Sequence, residues 1–259
     1  MSAFGREIAN EFRKNRIYFF IAFASLILLY GLNLVLDKDI VVAINWEDGL
    51  FENLTALAFF LTSLAFLILF IRTRKVIHIL FFLLFLFGTG EEISWGERIF
   101  HFEVPESIAA INAQNEFNIH NLKVLSSFDE NGIKPGLSRY MTVSAFYLLF
   151  CFFYGILLPV FFIRISFIRK LVNRIHLPIP PLVLGIFFLI NYLIFKSLSH
   201  VDVMGDPSVH FHSVIDESFE LGSALIFLLI SSAFLQTVIV PQRKITPLTK
   251  ESNIEGVMS

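Results

Sequence analysis

Two adjacent carboxylates, Glu91 and Glu92, end a long apolar run and open the most polar stretch of the chain, residues 88–121. A carboxylate in such a position suits the role of a general base that takes a proton from a bound water. Ionisable side chains next to apolar sequence are costly unless they face a cavity or a partner. The segment therefore predicts a polar site, with Glu91 or Glu92 as its base.

A nine-residue pattern, D-x-x-F-E-x-x-[ST]-A, occurs twice, once from Asp48 and once from Asp216. Each copy precedes an apolar run and places a second carboxylate, Glu52 or Glu220, four residues after the first. Residues four apart share one face of an α-helix, so each helix end should present a stacked acidic pair. A true repeat and a chance match both account for the pattern. In either case, Asp48, Glu52 and Glu220 are predicted to form a second acidic layer at the site.

Histidines accompany these carboxylates at helical spacing. Glu116 and His120 are four residues apart, as are His212 and Asp216, which suits paired metal ligands or a carboxylate that orients an imidazole. Imidazoles with carboxylates suit zinc or iron, whereas carboxylates alone suit calcium or magnesium. We predict a divalent metal, zinc first with calcium or iron as alternatives, held by His120, His210, His212, Asp216 and Glu116. Local turn hydrogen bonding is the alternative role for the polar residues between 112 and 121.

The rest of the chain is a membrane scaffold by composition. Hydrophobic residues make up 56% of the 259 positions, the mean hydropathy is +0.72, and charged residues make up 16%, against about 25% in soluble domains. The net charge of -2 gives no indication of a nucleic-acid partner. Cys151, the one cysteine, lies in an apolar run and is interpreted as a small hydrophobic residue.

Six apolar runs approach the roughly 20 residues needed to cross a bilayer. We therefore predict an all-α polytopic membrane protein, with one domain over residues 1–259 and six spans at 17–36, 50–71, 76–94, 140–163, 180–198 and 219–240. The second and third spans should form a helical hairpin, because only four residues separate them. A flexible cytoplasmic tail is expected at 241–259.

Basic residues indicate the orientation of these spans. Fourteen of the 20 lysines and arginines fall in four segments: the N-terminus, the loops after the second and fourth spans, and the C-terminus. The positive-inside rule then places both termini in the cytoplasm. Of the 22 acidic residues, 18 fall on or near the outer face. We predict a multi-pass protein of the cell membrane, the inner membrane of a bacterium, with membrane lipids as its surroundings.

Helix rise places the acids at one depth. Glu91 and Glu92 lie roughly 22–24 Å from the cytoplasmic end of the third span, at 1.5 Å per residue. That level matches Glu52 and Glu220, so three helices should share an outward-facing acidic pocket; simple hydration at the headgroup level is the alternative. The loop 96–138 should contain a short amphipathic or re-entrant helix, which Pro105 can open.

Three resemblances follow from these motifs. Glu91-Glu92 with downstream Arg98, His120-Asn121 and His212 with Asp216 resemble the CAAX-type prenyl proteases, although five residues rather than three precede the arginine. That resemblance adds Arg98 to the candidate catalytic residues. The Trp46–Asn53 region is similar to the calcium site of alkaline-ceramidase-like hydrolases. The GEEISWGERIF and NAQNEFNIHNL segments look like those of uncharacterised bacterial polytopic membrane proteins, which implies no activity.

The first two resemblances imply hydrolysis at a polar site within the bilayer. The leading hypothesis is therefore a metal-assisted hydrolase or transferase that acts on a lipid or lipid-linked substrate. A transporter or ion-handling protein is the second hypothesis, and an envelope assembly or scaffold protein without catalysis is the third. No organic cofactor site is predicted.

Overall fold

The protein is a bundle of apolar α-helices. The computed structural model describes residues 3–46, 49–129, 132–199 and 211–239, without the side chains of residues 3, 98, 128, 129, 132, 133 and 211–214. The first half of the chain contains α1 (Ala3–Val35), α2 (Lys38–Asn45), α3 (Leu50–Thr73), α4 (Val76–Glu92), α5 (Glu97–Phe100) and α6 (Glu106–Ala109). The predicted tail at 241–259 lies outside the described residues.

The second half of the chain begins with two short antiparallel strands of two residues each, and the rest of it is helical. The strands are β1 (Phe128–Asp129) and β2 (Gly132–Ile133), which pair antiparallel. The helices are α7 (Val143–Phe152), α8 (Leu158–Arg164), α9 (Ser166–Ile175), α10 (Leu182–Leu198) and α11 (Phe211–Ile239). A π-helical turn, Phe153–Leu157, joins α7 to α8 without a break.

Among the described residues, four helical segments are long and apolar enough to cross a membrane: Phe4–Val35, Lys38–Thr73, Val143–Arg164 and Ile215–Ile239. This confirms the all-helical class and the membrane character. The other two predicted spans correspond to α4 and α10, which have 17 residues each. A helix of that length covers about 25 Å, less than the roughly 30 Å of the hydrocarbon layer, and the number of six spans remains a prediction.

The helix boundaries have local causes. Arg74 adopts a left-handed conformation, φ 57°, and its N–H donates to the carbonyl of Phe70, which ends α3 and turns the chain into α4. These two helices pack along their length as the predicted hairpin. α6 follows Pro105 as expected, whereas the amphipathic helix α2, which turns the chain between α1 and α3, was not predicted.

Phenylalanines fill the centre of the bundle. Phe66 stacks on Phe85 with 5.8 Å between ring centroids and on Phe81 with 4.8 Å, and Phe85 meets Phe227 at 5.1 Å. All four rings are buried. The centre of the bundle is therefore a close-packed aromatic layer between its two ends.

Buried amides tie α1 to its neighbours. Asn45 Nδ2 donates to Asn33 Oδ1 at 2.7 Å, Asn33 Nδ2 donates to Ser218 Oγ at 2.8 Å, and Ser218 Oγ donates to Asn45 Oδ1 at 2.8 Å. This closed triangle joins α1, α2 and α11. Where little water is available, such hydrogen bonds hold helices together because each group needs a partner.

Asn191 forms a second tie, between α1, α10 and α11. Its Oδ1 accepts from the Tyr30 hydroxyl at 2.7 Å, and its Nδ2 donates to the Phe219 carbonyl at 2.8 Å and to Ser223 Oγ at 3.0 Å. The side chain is completely buried. Gly222 permits this approach, because a Cβ there would lie 2.6 Å from Asn191 Oδ1.

Replacement of Asn191 should therefore destabilise the bundle. We expect Asn191→Ala to lower the free energy of unfolding by about 1–3 kcal/mol, since it removes three buried interhelical hydrogen bonds, one with Tyr30 on α1 and two with Phe219 and Ser223 on α11. The measurement is unfolding in mixed micelles. Ser197→Ala is the matched control on the same helix, because that exposed hydroxyl, among the described residues, bonds only to the Leu193 carbonyl of its own helix. Equal stability of the two variants would contradict the prediction.

Candidate functional site: an acidic cavity at one end of the bundle

Glu91 anchors the long loop 96–138 to the end of α4 by hydrogen bonds. Its Oε1 accepts from the Trp95 indole N–H at 2.6 Å, and its Oε2 accepts from the backbone N–H groups of Ile119 and His120, each at 2.8 Å. The residue is 6% exposed. Both carboxylate oxygens are thus occupied by donors of the protein itself, and Glu91 is primarily an anchor for the loop.

The turn after α4 makes this anchorage possible. Ser94, Trp95 and Gly96 all have positive φ angles, so the chain reverses sharply and lays the Trp95 ring against α4. A Cβ on Gly90 would lie 3.0 Å from that ring, which explains why a glycine precedes the acidic pair. The motif GEEISWG therefore encodes a compact turn as well as two acids.

Loop residues 112–121 are held by asparagine side chains. Asn112 and Asn118 are buried, and Asn112 Nδ2 donates to Asn118 Oδ1 at 2.9 Å. Glu116 Oε2 accepts from Asn118 Nδ2 at 2.6 Å and from Ser94 Oγ at 3.0 Å. The recurring asparagines thus close turns and tie the loop to the segment after α4, which was the alternative to a ligand role.

A cavity of about 530 Å³ lies between α3, α4, α7, α11 and this loop. Its polar lining includes five glutamates, together with His120, Gln114, Asn121, Ser144 and Tyr147, and the glutamates are Glu52, Glu91, Glu92, Glu217 and Glu220. The structure therefore brings the acids of the second, third and sixth predicted spans to one cavity. We call this end of the bundle, where α4 ends and α7 and α11 begin, the acidic end.

Glu92 is the electrostatic centre of this group. It lies close enough to Glu220, Glu217 and Glu52 for mutual repulsion. Among the described residues that line the cavity there is no lysine or arginine. Like charges in a site of limited polarity cannot all remain ionised without compensation, so the cluster favours a bound proton or cation.

The cavity also has an apolar side that faces the surroundings of the bundle. Leu84 and Phe87 on α4 and Phe146 on α7 line it, yet these side chains are 45%, 42% and 51% exposed. α4 packs extensively on α3 but scarcely touches α7. We infer that the cavity opens sideways between α4 and α7, towards the acyl chains of a surrounding bilayer.

His120 lies at the loop side of the cavity, and its side chain is 32% exposed. Its Nδ1 is 3.6 Å from Glu91 Oε2, an ion-pair distance, and no described acceptor lies within hydrogen-bonding range of that nitrogen. Burial alone would lower the pKa of His120. Glu91, with the charges of Glu220 and Glu116, outweighs burial and raises the pKa above its usual value.

Two ionisable residues of the described cavity lining were missed by sequence reasoning. Glu217 lies three residues before Glu220, so helical spacing could have placed it on the same side of α11. Tyr147 lies on α7, and a single tyrosine in an apolar helix gives no sequence signal. Conversely, the described cavity lining does not include Asp216, although the predicted acidic pattern contains it.

The predicted metal ligands are only partly within the described structure. His210 lies outside the described residues, and the side chain of His212 is not described. The same holds for two other predicted site residues: Asp48 lies outside the described residues, and the side chain of Arg98 is not described. Among the described residues, no group of three or more histidine, cysteine, aspartate or glutamate side chains could hold a metal ion. The five-residue metal set therefore remains a prediction.

Removal of the Glu91 charge should loosen the loop. We expect Glu91→Gln to cost about 2 kcal/mol locally, because backbone N–H groups lose a charged acceptor, and this corresponds to a roughly 30-fold rise in the exchange of their amide hydrogens. Hydrogen exchange of peptides covering residues 112–122, followed by mass spectrometry, measures it. The control is Glu106→Gln, at an exposed loop position. Unchanged protection in Glu91→Gln would contradict the anchoring role.

The raised pKa of His120 predicts a pH-dependent contribution to stability. A pKa that is higher in the folded than in the unfolded state stabilises the fold fully below the unfolded value of about 6.5, and this contribution disappears as pH rises through the folded value. The stability difference between wild type and His120→Gln should therefore be largest in mild acid and shrink above neutrality. Unfolding measured over a pH series tests this, and a difference that grows with pH would contradict it.

The chain was compared with models of protein families, with curated proteins and with solved structures, and none of the three comparisons finds a match. The geometry of the acidic cavity is therefore the basis for a functional interpretation.

Proposed function

We propose that the protein is an integral membrane hydrolase or transferase, and that its substrate is a lipid or lipid-linked molecule that enters the acidic cavity from the bilayer. In this proposal six helices cross the membrane, both termini lie in the cytoplasm and the acidic end faces outward. The distribution of basic residues supports that orientation.

One observation carries the proposal: a single cavity combines a carboxylate and imidazole surface with an apolar opening between α4 and α7. A lipid has the same division, because its reactive headgroup bonds are polar and its chains are apolar. Leu84, Phe87 and Phe146 would contact the chains while the headgroup reaches the acids. Ligand sites in proteins commonly pair an apolar wall with a few convergent polar groups.

The roles of the residues follow from their partners. Glu91 has both oxygens engaged, so Glu92 is the better candidate for the general base that takes a proton from water or from an acceptor hydroxyl. The raised pKa of His120 favours its protonated form, which suits a general acid for the leaving group. Glu220 and Glu52 would share the negative charge of the cluster with Glu92. Glu91 would position His120 by holding the backbone of its loop.

Transport is the second candidate, and the excess of carboxylates over basic residues in the described lining favours cation binding. The buried stack of Phe66, Phe81, Phe85 and Phe227 argues against transport through the bundle. It fills the bundle below the cavity and offers no polar route to the opposite end. The enzyme proposal therefore accounts for more of the structure than a through-pathway does.

A divalent metal remains part of the proposal as a cofactor. The predicted ligands are His120, His210, His212, Asp216 and Glu116, and their imidazole and carboxylate donors suit zinc first, with calcium or iron as alternatives. A metal would polarise the substrate bond and lower the pKa of a bound water.

An activity screen tests the proposal. Wild-type protein in vesicles is incubated with phospholipids, glycolipids and polyprenyl-linked substrates, and products are identified by mass spectrometry. We expect turnover of one class, and a loss of about 100-fold or more in Glu92→Gln and His120→Gln, the range associated with a positioned acid or base. Glu106→Gln, outside the described cavity lining, should retain activity.

Two results would overturn this function. The first is full activity of Glu92→Gln on a substrate that wild type turns over. The second is the absence of product from every lipid class combined with cation flux that depends on Glu92, which would favour transport. A parallel assay with a chelator separates the metal question from the reaction, because activity that is lost on chelation and regained with one ion identifies the cofactor.

A further inference from the structure

A second cavity, of about 270 Å³, lies at the opposite end of the bundle, where α3 ends and α4 begins. We call this the basic end. Residues from the ends of α3, α9 and α11 and from the start of α4 line the cavity. At roughly 30 Å³ per water, it has room for about nine water molecules. Nothing in the proposed reaction uses it, because the aromatic layer separates it from the acidic cavity.

The lining of this cavity is basic. It includes Lys75, His78 and His176, together with Thr73 and Asn173 as hydrogen-bonding groups, and the described lining contains no aspartate or glutamate. Lys75 and His176 are exposed, so both can reach a ligand from the surrounding solvent or leaflet. The composition of the cavity is thus the reverse of that at the acidic end.

His78 is the fixed part of the lining. It is 6% exposed, and its Nδ1 lies 2.8 Å from Thr73 Oγ1. The Thr73 hydroxyl already donates to the Leu69 carbonyl at 2.7 Å, so its oxygen accepts and His78 Nδ1 carries the hydrogen. The threonine and histidine thereby hold the α3–α4 turn in the geometry that presents Lys75.

α9 places the same cavity at a membrane surface. Its apolar residues Phe167, Leu171 and Ile175 recur every four positions and are 69%, 45% and 47% exposed, while Val172 on another face is buried against the bundle. Arg169, Lys170 and Arg174 occupy the intervening positions. A short helix with an exposed apolar stripe and basic flanks is typical of one that lies in the headgroup region and attracts anionic lipids.

We propose that the cavity at the basic end binds the phosphate group of an anionic ligand, with Lys75 as the cationic contact and the side chains of His176 and Asn173 as hydrogen-bond donors. The source of this phosphate is either an anionic lipid of the adjoining leaflet or free phosphate. The apolar part of the lining, which includes Leu69 and Phe234, leaves space beside the phosphate for a glycerol and the start of an acyl chain. A bound lipid would join α3, α9 and α11 at this end.

Lipid retention tests the proposal on the full-length protein. Detergent-solubilised protein is equilibrated with phosphatidylglycerol or with phosphatidylcholine of the same acyl chains, and bound lipid is counted by native mass spectrometry. We expect selective retention of phosphatidylglycerol. Lys75→Gln should weaken it about fivefold, the effect of one basic residue near an anionic surface, and the addition of His176→Gln should weaken it further.

The control is Lys38→Gln, which removes one positive charge from an exposed position of α2 at the acidic end, outside the described lining of this cavity, and should retain the lipid. Displacement of the lipid by millimolar inorganic phosphate, or stabilisation by phosphate alone, would assign the site to free phosphate; no effect of phosphate would assign it to the lipid. Equal retention of both lipids, or an equal loss in Lys38→Gln and Lys75→Gln, would overturn the proposal. Thermal unfolding of each variant without lipid verifies that it is folded.

Discussion

The bond between Glu91 and the loop 96–138 determines the shape of the acidic end. One buried carboxylate accepts from an indole N–H and from two backbone N–H groups, and the loop consequently folds back over the bundle instead of extending away from it. A charged group is retained at this depth because its donors replace the water that it loses. The same bond brings His120 to the cavity, so the anchor of the loop also sets the chemistry of the site.

The two ends of the bundle are electrostatic opposites separated by an aromatic layer. The described lining of one cavity has glutamates and no lysine or arginine, and that of the other has lysine and histidine and no acid. The phenylalanines between them are close-packed and buried. In the proposed function, this separation would let one end act on a substrate while the other associates with an anionic leaflet.

Lipid chains are as apolar as the helix surfaces, so hydrophobic burial does not select one arrangement of the helices. Interhelical hydrogen bonds select it instead. Asn33, Asn45 and Ser218 form one closed set, and Asn191 links three helices. Each of these groups would be unsatisfied if its helix rotated or slid. The close approach of Gly155 and Gly185 adds a contact that leaves no room for a side chain, since a Cβ on Gly185 would overlap the Gly155 carbonyl oxygen. These contacts fix the helix positions on which the cavity depends.

The sequence by itself determined the helical membrane class, the α3–α4 hairpin and the common level of Glu52, Glu92 and Glu220, because composition, loop length and helix rise are properties of the chain alone. It could not separate the neighbours Glu91 and Glu92, whose roles differ because one meets the loop and the other meets α3 and α11. Nor could it find Tyr147, the sideways opening or the basic cavity. Those features arise only where helices distant in sequence meet, and that arrangement was decided by tertiary packing.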